Sequence, residues 1–207
     1  MSKEIQTIVF DLGGVLIDWN PRYVFREIFK NDEEKVEWFL STICTPEWNA
    51  QQDAGRTMDE ATEALVSMHP QHETHIRAYY ERWQDMLGGP IDGTVEILRE
   101  VREGPHRLYG LTNWSAETFP VALERYDFLS WFEGIVVSGK IGLIKPHAAI
   151  YHHLVETFDL EPAATVFIDD SPANVEAARD LGFRSIRFEG PAELREALRE
   201  LGVRIKE

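Results

Sequence analysis

Five short apolar runs, each ending in polar or glycine residues, constrain this chain more than any other feature. They are Thr7–Phe10, stopping at Asp11; Arg107–Leu111, stopping at Thr112 and Asn113; Gly134–Val137, stopping at Ser138 and Gly139; Thr165–Ile168, stopping at Asp169 and Asp170; and Arg184–Phe188, stopping at Glu189 and Gly190. Short, continuous runs rich in β-branched and aromatic residues suit strands buried on both faces. Helical periodicities lie between them. Val95, Leu98 and Val101 form a stripe within Ile91–Val101. Ile150, Leu154 and Phe158 recur after Lys145-Pro146, with Pro146 suited to a first helical turn. Val175, Ala178 and Leu181 follow Asp170, and Gly182 is placed to stop that helix. Leu194, Leu198 and Leu201 line one face of Pro191–Leu201. The alternation predicts a Rossmann-like α/β core, a doubly wound parallel sheet. In such sheets ligands bind beyond the carboxyl ends of the strands, where the polar stops stand.

Residues 18–89 break the alternation and carry only helix signals. Asn20-Pro21 and Thr45-Pro46 read as helix starts, and Asn31 with Glu34 and Thr57 with Glu60 have capping-box spacing. Trp38, Phe39, Trp48, Tyr79, Tyr80 and Trp83 supply core material. The expected organisation is a core domain from residues 1–17 and 90–207, with a small helical-bundle cap at 18–89. A cap beside a strand-end site is a candidate lid. His69, His72 and His75 are spaced by three, but no second cluster supports a metal, and they read as a solvated helix start.

Composition narrows the partners. Among 207 residues, 21 Lys and Arg against 36 Asp and Glu give a net charge of −15. Such a balance disfavours nucleic acid and anionic membrane. No apolar run approaches the ~20 residues that span a bilayer. Cys44 is the only cysteine, so no internal disulfide forms, and the opening residues Met1–Gln6 lack a long apolar core. The expectation is a cytoplasmic protein acting on a small molecule as a monomer or homodimer.

The strand-end residues carry the chemistry. Asp11 ends a strand and precedes Leu12-Gly13-Gly14, a turn where backbone can approach a ligand or metal. Asp169 and Asp170 end another strand, and since successive side chains alternate, one faces the site and the other supports it. Carboxylates meeting in one crevice repel, and a hard cation such as Mg²⁺ resolves this with carboxylates, waters and substrate phosphate. Lys145 can hold a phosphate and offset the carboxylates. Thr112 and Asn113, with helix N-terminal N–H groups, can make an anion cradle, and Asn113 is placed to cap the next helix.

In this order, Phe10-Asp11-Leu12-Gly13-Gly14-Val15-Leu16, Leu111-Thr112-Asn113, Lys145-Pro146 and Ile168-Asp169-Asp170-Ser171-Pro172-Ala173-Asn174 resemble the haloacid dehalogenase-like hydrolase superfamily over essentially the whole chain. The insertion resembles that superfamily's four-helix cap. The resemblance implies a Mg²⁺-dependent phosphohydrolase acting on a small phosphomonoester, such as a sugar phosphate. It makes Asp11 the nucleophile that forms an aspartyl-phosphate. Thr112 and Asn113 bind the phosphoryl group, and Lys145 neutralises the oxygens around it. Asp170 is the principal metal ligand, joined by Asp169, Asp11 and the Gly13 carbonyl. Asn174 stands where many relatives carry an acid behind the metal ligands.

One position departs from the pattern. Most phosphatases of the superfamily carry a second aspartate two residues after the nucleophile, and here that residue is Gly13. Loss of a general acid–base costs ~10²–10⁴ in rate. Some relatives with Asp-Leu-Gly resemble α-glucose-1-phosphate phosphatases; a good leaving group, a water or a cap residue can substitute, and His147 and Asp18 are near only in sequence. Two other readings stay open. A 2-haloacid dehalogenase attacks carbon through Asp11 and releases a halide that takes no proton, a reading that Asn113-Trp114-Ser115 also resembles. A non-catalytic regulatory relative keeps the fold and holds a stable phospho-Asp11.

Overall fold

The structure, a computed structural model, describes residues 3–205; Met1, Ser2, Lys206 and Glu207, the outermost residues of the expected core domain, lie outside them. The five apolar runs become β1 (Thr7–Phe10), β4 (Arg107–Thr112), β5 (Gly134–Val137), β6 (Thr165–Asp169) and β7 (Arg184–Arg187). They pair in parallel in the order β5-β4-β1-β6-β7. β4 and β6 run one residue further than the apolar runs, taking in Thr112 and Asp169, and β7 stops one residue short of Phe188.

The sheet buries both faces by strict alternation. Ile8, Phe10, Val166 and Ile168 share one cluster with Ile97 and Leu98 of α6 (Asp92–Arg102) and Leu194 and Leu198 of α11 (Pro191–Glu200). Val9, Tyr109, Leu111 and Phe167 share the other with Ile150, Tyr151 and Leu154 of α9 (Ala148–Phe158) and Ala178 of α10 (Pro172–Asp180). Gly182 follows α10 at φ 90°, the left-handed stop its position implied. Pro146 is not in the first turn of α9, which begins at Ala148. It sits in the loop before the helix, joined to Lys145 by a cis peptide.

Chain order reverses beside β1: β4 and β5 lie on one side, β6 and β7 on the other. Phe10 is level with Gly110 and with Ile168, and the Asp11 N–H donates to the Ile168 carbonyl at 2.8 Å. That register sets the ends of β1 and β6 side by side at the switch point, where such sheets bind ligands.

The segment 18–89 is not purely helical. β2 (Ile17–Trp19) and β3 (Leu87–Pro90) form an antiparallel ribbon where the chain leaves and re-enters the core. Between them lie α1 (Arg22–Ile28), α2 (Glu33–Thr42), α3 (Pro46–Asp53), α4 (Met58–Met68) and α5 (Glu73–Glu81). Thr45 caps α3, and Thr57 with Glu60 closes the capping box on α4. Asn31 is not the cap of α2. It lies at φ 60° in the turn after α1, and Asp32 caps the helix by accepting from the Lys35 N–H at 3.2 Å. Phe25, Phe39, Trp48 and Tyr79 form the buried aromatic centre of the bundle. Trp38 is exposed instead; His72 and His75 do stand at the start of α5, but half-buried, with their rings tilted or edge-on to Trp38, Phe39 and Phe29. No described helix is long and apolar enough to cross a membrane.

Candidate active site

The strand ends converge as the polar stops implied. One carboxylate oxygen each from Asp11, Asp169 and Asp170 lies within 4.8 Å of the others, the only such group among the described residues. Asp11 is buried one residue beyond β1. Its Oδ1 accepts from the Leu12 N–H at 2.7 Å and from Lys145 Nζ at 2.9 Å, so both contacts fall on one oxygen. Burial raises the Asp11 carboxyl above the usual aspartate range; Lys145 opposes this, and Asp169 and Asp170 add to it.

Lys145 is buried at the centre of the cluster. Its ammonium donates to the Leu111 carbonyl at 2.8 Å and to Asp169 Oδ2 at 2.7 Å, besides Asp11. All three protons are therefore committed within the protein. Burial works to lower the Lys145 pKa, yet Asp11 and Asp169 hold it above the ordinary lysine value. It is a charged lysine.

Asp169 and Asp170 divide the labour that adjacent residues predict. Asp169 is fully buried: its Oδ1 accepts from the Ser171 N–H at 2.9 Å and from Asn174 Nδ2 at 3.0 Å, and its Oδ2 from Lys145. Asp170 is exposed above the turn. Gly14 makes its approach possible: at φ +76°, a Cβ there would stand 2.6 Å from Asp170 Oδ2.

Whether a cation suits this place follows from the charges. Three carboxylates face one committed ammonium, and burial already pushes Asp11 toward its protonated form. Every donor is a hard oxygen. The set fits a divalent ion of the Mg²⁺ kind, which takes one or two carboxylates and keeps positions for water and phosphate.

Thr112 ends β4, buried beside this group. Asn113 also stands there, but it does not cap a helix. Its side-chain amide is bound to the Lys145 backbone, and the next helix, α7 (Phe119–Arg125), begins after Thr118.

Above the strand ends, Gly13, Trp19, Asn49, Asp53, Tyr80, Trp83, Asn113, Trp114, Ser115 and Thr118 line a cavity of about 80 Å³. A wider groove of about 730 Å³ shares Trp19, Asn49, Asp53 and Asn113; most of its walls come from the helical segment, and Asn113 and Ser171 close it on the strand-end side. Neither His147 nor Asp18 lines either space. Residues 49, 53, 80 and 83 come from the cap, and nothing local in the sequence set Asn49 or Asp53 apart from surface polar residues.

Comparison with known proteins gives the family. The profile of haloacid dehalogenase-like hydrolases matches residues 8–188. The chain is 30% identical over 183 residues to the sesquiterpene phosphatase astK of Aspergillus oryzae, covering 88% of this chain and 89% of that protein. It is 28% identical over 205 residues to the D-ribitol-5-phosphate phosphatase of Bacteroides thetaiotaomicron, covering 94% and 97%. Other curated relatives are longer: the chain spans 36% of the drimenol cyclase drtB of Aspergillus calidoustus, to which it is 25% identical over 196 residues. The magnesium complex of the enzyme bt-2542 from Bacteroides thetaiotaomicron superposes with a TM-score of 0.70 at 25% identity, over 91% of this chain and 95% of that one. By sequence profile and fold, the chain belongs to the haloacid dehalogenase-like hydrolases.

Proposed function

We propose that this protein is a Mg²⁺-dependent phosphohydrolase that cleaves a small phosphomonoester through an aspartyl-phosphate on Asp11. The observation that carries this reading is the meeting of Asp11, Asp169 and Asp170 around the buried Lys145 ammonium. Asp11, Asp170 and the Gly13 carbonyl, with Asp169 beside them, would hold the ion, which supplies positive charge against the phosphate oxygens. Asp169 already accepts from Ser171, Asn174 and Lys145, which favours Asp170 as the principal ligand.

The chain's own residues then divide the work. Asp11 Oδ1 is held by Leu12 and Lys145, leaving Oδ2 to attack phosphorus. Lys145 works against the protonation that burial favours at Asp11, since a nucleophile must be ionised. Thr112 and Asn113 border the phosphoryl position. Attack forms the Asp11–phosphorus bond and breaks the ester bond, so the alcohol leaves; water then attacks phosphorus and frees Asp11 and phosphate.

The alcohol rests in the space bordered by Trp19, Tyr80, Trp83 and Trp114. Aromatic walls suit the apolar face of a sugar or another compact alcohol. Halide displacement, the rival reading, would leave Asp170 without work, since Asp169 alone holds Lys145, Ser171 and Asn174.

The test is phosphate release from a panel of small phosphomonoesters, with Mg²⁺ and with EDTA, beside the Asp11→Asn variant. Release that needs both Mg²⁺ and Asp11 supports the assignment. No release from any substrate overturns it.

A further inference from the structure

We propose that Asp53, from the cap, is the general acid and base of the reaction, standing in for the carboxylate that Gly13 lacks. The inference rests on the phosphohydrolase reading and names the residue that reading leaves unfilled.

Placement is the first argument. Gly13 and Asp53 line the same cavity of about 80 Å³, and nothing lies within 4 Å of where a Cβ at Gly13 would stand. The space beside the nucleophile's turn is open, and Asp53 is the only carboxylate among the residues that enclose it. The other walls are aromatic or neutral. They include Trp19, whose indole N–H is buried without a partner.

Fixation is the second. Asp53 is the last residue of α3, so its carboxylate rides on the end of a helix. Its Oδ2 accepts from Asn49 Nδ2 at 3.3 Å within the cap, and the Ser115 backbone N–H of the core favours its charged form. The chain just after it is seated on the core too. A Cβ on Gly55 would lie 3.4 Å from the Gly139 carbonyl, and the Met58 N–H donates to Glu117 Oε1 at 2.8 Å. A proton donor at a reacting centre must be held in this way, within hydrogen-bond reach of the atom it serves.

Protonation is the supporting argument. Burial pushes the Asp53 carboxyl up to about 7, with the Ser115 N–H and the Lys145 charge working in the opposite direction. Tyr79 and Tyr80 of α5 are the other titratable groups that feel its charge. A group that exchanges its proton near neutral pH suits both halves of a two-step hydrolysis.

The step balances. As Asp11 Oδ2 bonds to phosphorus, the ester phosphorus–oxygen bond breaks, and the departing oxygen takes its electron pair and the Asp53 proton, leaving as the alcohol. A water then attacks phosphorus while giving a proton to the Asp53 carboxylate. The Asp11–phosphorus bond breaks, and phosphate and the starting enzyme result.

The experiment compares wild type, Asp53→Asn and the double variant Asp53→Asn with Gly13→Asp. The substrates are para-nitrophenyl phosphate, whose leaving group needs no proton, and whichever alkyl monophosphate of a panel wild type cleaves fastest. Asp53→Asn should lower kcat on the alkyl ester by ~10²–10⁴ and on the nitrophenyl ester by less than about tenfold. Gly13→Asp, which has room for its side chain, should restore part of the alkyl activity. An equal loss on both esters, or no loss, overturns the role of Asp53 while leaving the phosphatase reading intact. Wild type that releases no phosphate from either ester overturns both. Asn keeps the side-chain volume and an acceptor oxygen for Asn49 Nδ2, and Asp53→Ser carries the same comparison if circular dichroism shows Asp53→Asn unfolded.

Discussion

Asn113 and Lys145 grip one another through the backbone: Asn113 Oδ1 accepts from the Lys145 N–H at 2.8 Å, and its Nδ2 donates to the Lys145 carbonyl at 2.9 Å. The end of β4 thus fixes the loop that carries the central ammonium. Asn113→Ala leaves two backbone groups to find other partners, a cost of about 1–3 kcal/mol. It also frees Lys145 to drift, and displacements near 1 Å cost ~10²-fold in rate. Urea denaturation and kcat together check this; an unchanged kcat would show that the carboxylates alone hold Lys145.

Removing the ammonium should be worse for the fold. Lys145→Met strands Asp11 and Asp169 as buried carboxylates without their counter-charge, a loss of about 3–5 kcal/mol. Equilibrium unfolding at neutral pH would show it, and the deficit should shrink in acid, where the carboxylates protonate.

Mg²⁺ should stabilise the folded protein. At a hundredfold excess over its Kd, an ion that binds only the native state adds about 2.7 kcal/mol. Thermal unfolding of wild type should move upward with Mg²⁺ and not with NaCl of equal ionic strength. Asp170→Asn should abolish the shift. If that variant responds as wild type does, Asp170 is not the principal ligand.

Gly14→Ala is a backbone test of the same site. The added Cβ collides with Asp170 Oδ2 in a left-handed turn, so either the turn or the carboxylate must move. Mg²⁺ affinity, read by titration calorimetry, should fall at least about tenfold, whereas Gly13→Ala, which meets no atom within 4 Å and needs no positive φ, should alter it far less.

Asp53 links stability to pH with a definite sign. Its folded pKa, about 7, lies above the ordinary value of 3.8, so between those limits the native state binds the proton more tightly than the unfolded chain. Stability from this group is therefore full below pH ~4 and is lost as pH rises through 7. Asp53→Asn removes that loss. The variant should be more stable than wild type at pH 8 by more than about 1 kcal/mol, with the gap closing toward pH 4. Paired denaturation curves at the two pH values decide it.

The sheet and the strand-end residues were legible because each depends on a short local pattern. An apolar run that ends in Asp11, or in Asp169 and Asp170, carries its strand and its site together. The β2–β3 ribbon was not legible: Ile17–Trp19 is three residues long, and Leu87–Pro90 is half glycine with a proline, a composition that reads as a turn. The cap of α2 was displaced by one residue because Lys30 and Asn31 both adopt positive φ, which adjacent non-glycine residues seldom do. Asp53 could not be read at all. An acid at the end of a polar helix looks like solvated charge, and only the seating of the cap on the core brings it to Gly13.

The ribbon sets how the helical segment is tied to the sheet. Both crossings between cap and core run through two hydrogen-bonded strands lying side by side. A tether of that kind resists sliding and twisting more than it resists bending, so bending is the one movement it leaves cheap. The inner cavity of about 80 Å³ and the groove of about 730 Å³ share Trp19, Asn49, Asp53 and Asn113 as walls. Trp19 ends the first strand of the ribbon and lines both spaces, so a bend there alters cavity and groove together.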